Sequence, residues 1–208
     1  MKKSIDKLKK KLRRAYLETE EFSIISDNCW GGFMHQHLGI PYKSPFVGLF
    51  IFSPDYLVLL RDLKYYLSQA DLTFISHDES KYKEEVVKNG EYDKYPIGLL
   101  GGKVEIHFLH YTDQYEAQEK WERRLKRIKW ENLLIKFSDR DLCTPSLLNE
   151  FHQLPYHQTL SFSVKPTGHP NNYNFDTQTN EWKAFKKFVS PTRLLKKHLT
   201  PKRKQKLF

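Results

Sequence analysis

Apolar residues in this chain occur in two patterns. Short β-rich runs bounded by turn residues alternate with longer stretches in which apolar side chains recur every three or four positions. Ile5, Leu8, Leu12 and Ala15, set among Lys and Arg, predict a basic amphipathic helix able to dock on the domain or lie on a membrane. Phe22 to Ser26 reads as a short strand ending in the turn Ser26-Asp27-Asn28-Cys29-Trp30-Gly31-Gly32, with a helix from Phe33 to Leu38 stopped by Gly39 and Pro41. Phe46 to Phe52 reads as a buried strand. Ser53-Pro54 then opens a helix running through Leu57, Leu60, Leu63 and Leu67. Leu72 to Ile75 gives another strand, and the charged stretch from His77 to Tyr95 reads as peripheral.

The clearest strand pattern runs from Lys103 to Tyr111. A helix from about Asp113 to Lys129 follows it, with Ala117, Trp121, Leu125 and Ile128 as its apolar stripe. Leu133 to Phe137 predicts a strand ending in Ser138-Asp139-Arg140-Asp141. A helix at 144–152, a strand at 159–165, an Asn/Pro/Gly-rich loop and a basic helical tail complete the chain. Strands alternating with helices predict an α/β fold, a mostly parallel or mixed sheet flanked by helices. The expected division is an N-terminal helix (1–20), one core domain (21–165), and a C-terminal loop and tail (166–208). Ligands of such sheets bind beyond the carboxyl ends of the strands.

With 39% hydrophobic and 14% aromatic residues the chain can build a core, and no apolar run approaches a membrane span. Charge refines the picture. The net +10 is concentrated at the ends: residues 1–14 carry eight Lys/Arg and one acid, and residues 183–208 carry ten Lys/Arg and no acid, so the middle is acidic. A nucleic-acid partner wants its basic residues on a structured face and is therefore not expected. Terminal basic clusters suit either an anionic membrane surface or solvated tails. The basic N-terminus has no apolar stretch of the kind a signal peptide needs, so Cys29 and Cys143 are expected as free thiols of a cytoplasmic protein. A peripheral position on the inner face of the plasma membrane is compatible with that expectation.

Three constellations can carry chemistry. Cys29, just past a strand end and followed by Trp30, Gly31 and Gly32, sits where backbone N–H groups converge; such a thiol is either an activated nucleophile or a buried structural cysteine. His107 and His110 lie on opposite faces of the predicted strand, which argues against a shared metal, and His110 is the better placed general base, with His107 the second choice. Asp139 and Asp141 can face one site, to orient a histidine or to hold a divalent metal against a diphosphate; a turn braced by Asp–Arg pairing explains them equally. Arg123 and Arg127 are i, i+4 neighbours that either clamp a phosphate or lie on a solvated face. No histidine–cysteine spacing suggests zinc.

SDNCWGG, LGIPYKSPFVGLFI, DYLVLLRDLKYYL, YPIGLLGGKVEIHFLHY, KWERRLKRI, FSDRD and LPY follow one another in that order. From about Phe22 to Tyr156 the chain resembles the bacterial family known as domain of unknown function 1919, whose members are often labelled exopolysaccharide, capsule or lipopolysaccharide biosynthesis proteins. The resemblance implies an α/β fold and a role in surface-glycan assembly. It matches Asn28, Cys29, Trp30, Gly31, Gly32, His107, His110, Tyr111, Trp121, Arg124, Asp139 and Asp141. The expected function is a transferase, acyl (acetyl) transfer from acetyl-coenzyme A to a saccharide or lipid-linked glycan, with Cys29 as nucleophile. Its alternatives are a Mn/Mg-dependent glycosyl or sugar-phosphate transferase using Asp139 and Asp141 with a nucleotide sugar, and a non-catalytic scaffold at the membrane.

Overall fold

The computed structural model describes residues 2–178 and 180–199. In chain order the elements are α1 (Lys2–Leu17), β1 (Ser23–Ser26), α2 (Trp30–Leu38), α3 (Ser53–Arg61), α4 (Leu63–Ser68), β2 (Leu72–Ile75), α5 (Lys83–Lys88), β3 (Ile97–Leu100), β4 (Val104–His107), α6 (Gln114–Leu125), β5 (Leu133–Ser138), α7 (Pro145–Gln153), β6 (Thr159–Ser163), β7 (Asn172–Asn174), α8 (Glu181–Phe188) and α9 (Pro191–His198). The fold is α/β. A parallel sheet of order β1-β5-β6-β7 stands beside an antiparallel sheet of order β2-β3-β4.

The central strand β5 reads as a nearly unbroken apolar run because both faces of its sheet are covered. Ile24 pairs with Leu134 and Ile25 with Ile135. Alternation then sends Ile24, Leu134 and Phe162 into one core with Trp30 and Phe185, while Ile25, Ile135 and Phe137 enter another with Tyr56, Leu60 and the antiparallel sheet's Val104 and Ile106.

Several elements differ from the reading of the sequence. The strand expected over 103–111 stops at His107, and residues 108–111 form turns, so His110 is not on a strand. Phe46 to Phe52 is irregular apart from one bridge, Phe50 to His107; the run is apolar because it is buried, not because it pairs. The long helix after Ser53 breaks at Asp62, whose side chain caps the next helix by accepting from the Tyr65 amide. Helix α6 ends at Leu125, short of Lys129. The segment after 165, expected as loop and tail, extends the sheet through β7 and adds α8 and α9. Residues 200–208 of the expected basic tail lie outside the described residues.

Helix α1 forms as expected, but its polar side faces the protein. Arg13 and Arg14 donate to the carbonyls of His37 and Leu38, the last of α2, where a cation also meets the negative end of the helix dipole. Leu17 is buried, and Lys196 from α9 donates to the Tyr16 carbonyl. The apolar stripe Ile5, Leu8, Leu12 and Tyr16 is exposed, 48–60% of each residue being open to solvent.

Candidate active site

The carboxyl ends of β1 and β5 lie side by side, with Ser26 in register with Lys136. Lys136 follows an apolar run in a buried strand and is itself fully buried. Its ammonium must therefore find counter-charges, and it has two: Nζ lies 3.0 Å from Asp27 Oδ1 and 2.7 Å from Glu181 Oε1. It also donates to Asn28 Oδ1 at 3.1 Å and to the Ser138 hydroxyl. Ser138 in turn donates to Glu181 Oε2, and Asp27 accepts from the Ser138 amide. Two acids and one base sit together. Burial pushes the Asp27 carboxyl above the ordinary carboxylate range, against the pull of Lys136 and with Glu181's charge adding to the rise.

Through Glu181 and Asn28 this cluster reaches a pocket of about 590 Å³, lined also by Arg140, Asp141, Glu85 and Glu91. A second chamber of about 430 Å³ lies on the other side of the turn, lined by His110, Tyr111, Lys120, Arg124, Tyr42 and Gly48. Cys29 and Phe33 border both chambers. The first chamber is mainly acidic and the second cationic.

Residues 1–199 match the model of the family described as domain of unknown function (DUF1919). The chain belongs to the DUF1919 family. It is similar to an uncharacterised protein of Haemophilus influenzae, 37% identical over 150 residues that cover 72% of this chain and 65% of the relative. The chain thus spans less than two thirds of that relative's length.

In this DUF1919 chain the glycines of the turn serve packing. A Cβ on Gly31 would stand 2.9 Å from Ser26 Oγ and 3.1 Å from Ile24 Cγ2, so only glycine lets α2 lie this close to β1; Gly32 is similarly pressed against Val47. Trp30 sits edge-on to Phe162 and Phe185 and is a core residue at the pocket wall. Both cysteines are free, as expected. The Cys29 thiol donates to the Leu49 carbonyl at 3.7 Å, and burial pushes its pKa up to about 11. At neutral pH such a group is about one part in ten thousand thiolate, the opposite of the activation a nucleophile needs. His110 lines the same chamber, but the thiol's hydrogen bond goes to the Leu49 carbonyl and not to the imidazole.

The other expected partners separate. His107 is enclosed by Phe50, Phe52 and Tyr95, and among the described residues its ring nitrogens make no hydrogen bond; Glu105 Oε2 stands off at 3.8 Å. Burial lowers its pKa to about 3, so it does not accept a proton near neutrality, and it lines neither of the chambers that Cys29 borders. Asp139 accepts from the Val164 amide, Thr177 and Gln178 and does not line the pocket, while Asp141 turns to the pocket from a left-handed backbone (φ 50°). They do not form a convergent pair. Among the described residues no three His, Cys, Asp or Glu gather as metal ligands. Arg123 pairs with Glu119 on the exposed face of α6 and Arg127 is also exposed; the arginine facing inward is Arg124.

Asp27, Lys136, Ser138 and Glu181 were not among the residues expected at the site. Lys136 had a readable signal: a lysine inside Leu-Leu-Ile-Lys-Phe, a strand buried on both faces, requires buried acids nearby. Nothing local marks Glu181, which reaches the cluster from 45 residues away.

Proposed function

We propose that this protein is a transferase of surface-glycan assembly that moves an activated group directly onto a saccharide hydroxyl, with Glu181 as the general base. The observation that carries this is the buried Asp27–Lys136–Glu181 cluster at the strand ends, with Glu181 opening on the acidic pocket. Glu181 accepts the hydroxyl proton; the freed oxygen bonds to the donor's acyl or anomeric carbon; the bond from that carbon to the leaving group breaks, and the leaving group departs with the electron pair. Asp27, Lys136 and Ser138 are positioning residues that fix the Glu181 carboxylate. An acyl thioester such as acetyl-coenzyme A or a nucleotide sugar supplies the donor. A protonated Cys29 thiol favours this direct route over an acyl-cysteine intermediate.

The test compares two variants in a strain lacking the protein, with surface-glycan composition as the readout. Glu181→Gln should lower transfer by about 10²- to 10⁴-fold, the worth of a general base. Cys29→Ser should retain activity within about fivefold, since no thiolate is used. The opposite pattern would restore the cysteine mechanism, and full activity in both would remove the site.

A second reading concerns location, and the exposed stripe of α1 favours it. Ile5, Leu8, Leu12 and Tyr16 face solvent, with exposed Lys9 and Lys11 at the margins of the stripe. This is the form of a helix that lies in an anionic lipid interface, each basic residue contributing about 1 kcal/mol. Among the described residues no helix is long and apolar enough to cross a membrane. The full chain should sediment with vesicles containing phosphatidylglycerol, more weakly at high salt, and Leu8→Glu with Leu12→Glu should abolish this. Equal sedimentation of that double variant, or self-association through α1 without lipid binding, would defeat the membrane reading.

A further inference from the structure

The second chamber contains a cation with no counter-charge among the described residues. Arg124 is only 7% exposed, yet its Nη1 donates to two neutral groups, the Tyr111 hydroxyl and the Val47 carbonyl. Among the described residues no carboxylate pairs with it, although on the same helix Lys120 pairs with Glu116 and Arg123 with Glu119. The guanidinium stands over the rings of Tyr42 and Tyr111, at 5.0 and 5.9 Å from their centroids. A buried arginine is almost never left unpaired, because the desolvation of its charge is not recovered by neutral acceptors.

We propose that this chamber is an anion site that receives a phosphoryl group of the donor, with Arg124 as its anchor and Lys120 at its side. The inference rests on the transferase reading for the ligand's role, and on the chamber alone for its chemistry. A phosphoryl group brings the missing negative charge and presents the oxygens that a planar guanidinium grips in pairs. His110 and Gln36 add polar groups to the lining. Across the Cys29–Phe33 partition the first chamber carries Glu85, Glu91, Asp141 and Glu181 against Arg140, which repels an anionic donor and suits a hydroxyl-rich acceptor. The opposite signs set the direction of binding: phosphate in the cationic chamber, saccharide in the acidic one, and the transferred group at the partition.

The experiment is calorimetric titration of the full chain with sodium pyrophosphate, followed by displacement with coenzyme A and with uridine diphosphate. Pyrophosphate should bind, more weakly as salt rises, and Arg124→Gln should weaken binding by about 10- to 100-fold, the loss expected for charge-assisted hydrogen bonds. Lys120→Glu, at a partly exposed position, should weaken it several-fold and serves as the deciding variant if Arg124→Gln does not fold. Displacement by coenzyme A would identify an acyl donor, and displacement by uridine diphosphate a sugar donor. Absence of pyrophosphate binding, unchanged binding in the deciding variant, tighter binding of succinate than of pyrophosphate, or displacement by neither nucleotide would overturn the proposal. Glu181→Gln should bind pyrophosphate normally, so loss of transfer with intact binding separates the fate of the base from that of the anion site.

Discussion

Replacing Lys136 by methionine should destabilise the protein by about 3–5 kcal/mol at neutral pH, the usual consequence of removing one member of a buried ionic cluster. The cause is the two acids left behind. Asp27 and Glu181 lose the ammonium that lies within 3.0 Å of each, and Asp27 is closed off from any water that could replace it. Urea unfolding measures the change. Two further results separate this cause from simple loss of packing. The deficit should shrink as pH falls and the acids take up protons. Adding Asp27→Asn and Glu181→Gln to the Lys136→Met variant should restore most of the loss, because no buried charge then remains unmatched. A loss that is independent of pH and unrelieved by the amides would show that shape, not charge, holds these strand ends together.

Acid should weaken the fold well before the ordinary carboxylates titrate. His35 is buried, its Nδ1–H donates to the Gly31 carbonyl at 2.8 Å, and burial lowers its pKa to about 4; His107, enclosed by aromatic rings, falls to about 3. An unfolded histidine titrates near 6.5, so unfolding takes up protons that the native state refuses. Their contribution is complete above about pH 6.5 and declines as pH falls, by about 1.4 kcal/mol per pH unit for each, until the folded values are reached. His37, His152 and His198, all lowered to about 4, act in the same direction. Asp27 and Asp141, both raised by burial, oppose it. The net expectation is a loss of stability between pH 6 and 5, since five histidines pull against two carboxyls. A urea midpoint that holds steady or rises across that interval would contradict the assignment of these histidines as neutral in the native state.

The sequence marked the general location of the site and missed its chemistry. Strands β1 and β5 were readable because Phe22 to Ser26 and Leu133 to Phe137 are apolar runs ended by polar turns, and the parallel arrangement places both turns at one edge. Period alone could not show that Phe46 to Phe52 is buried without pairing, because burial in a loop and burial in a strand select the same side chains. Cys29 drew attention by residue type, but its reactivity depends on charge and solvent around the sulfur, and these are set by residues remote in sequence. Arg123, Arg124 and Arg127 are indistinguishable as letters; α6 ends before Arg127, and its phase, set by Trp121 against Phe46 and Phe108, turns Arg124 inward and Arg123 outward. Glu181 lay beyond the recognised blocks, in a segment whose basic composition concealed its place in the fold.

Its late position has a consequence for how the chain is made. Strand β6 is finished at Ser163, and until β7 follows, one edge of the sheet has unmatched backbone groups. Lys136 meanwhile has Asp27 but must wait 45 residues for Glu181. At about 5–20 residues per second that wait lasts about 2–9 s, long compared with the collapse of the strands already synthesised. The nascent chain therefore passes through a half-neutralised, open-edged state, and ribosome stalling between residues 163 and 181 would prolong the interval in which it is most prone to pair with another copy.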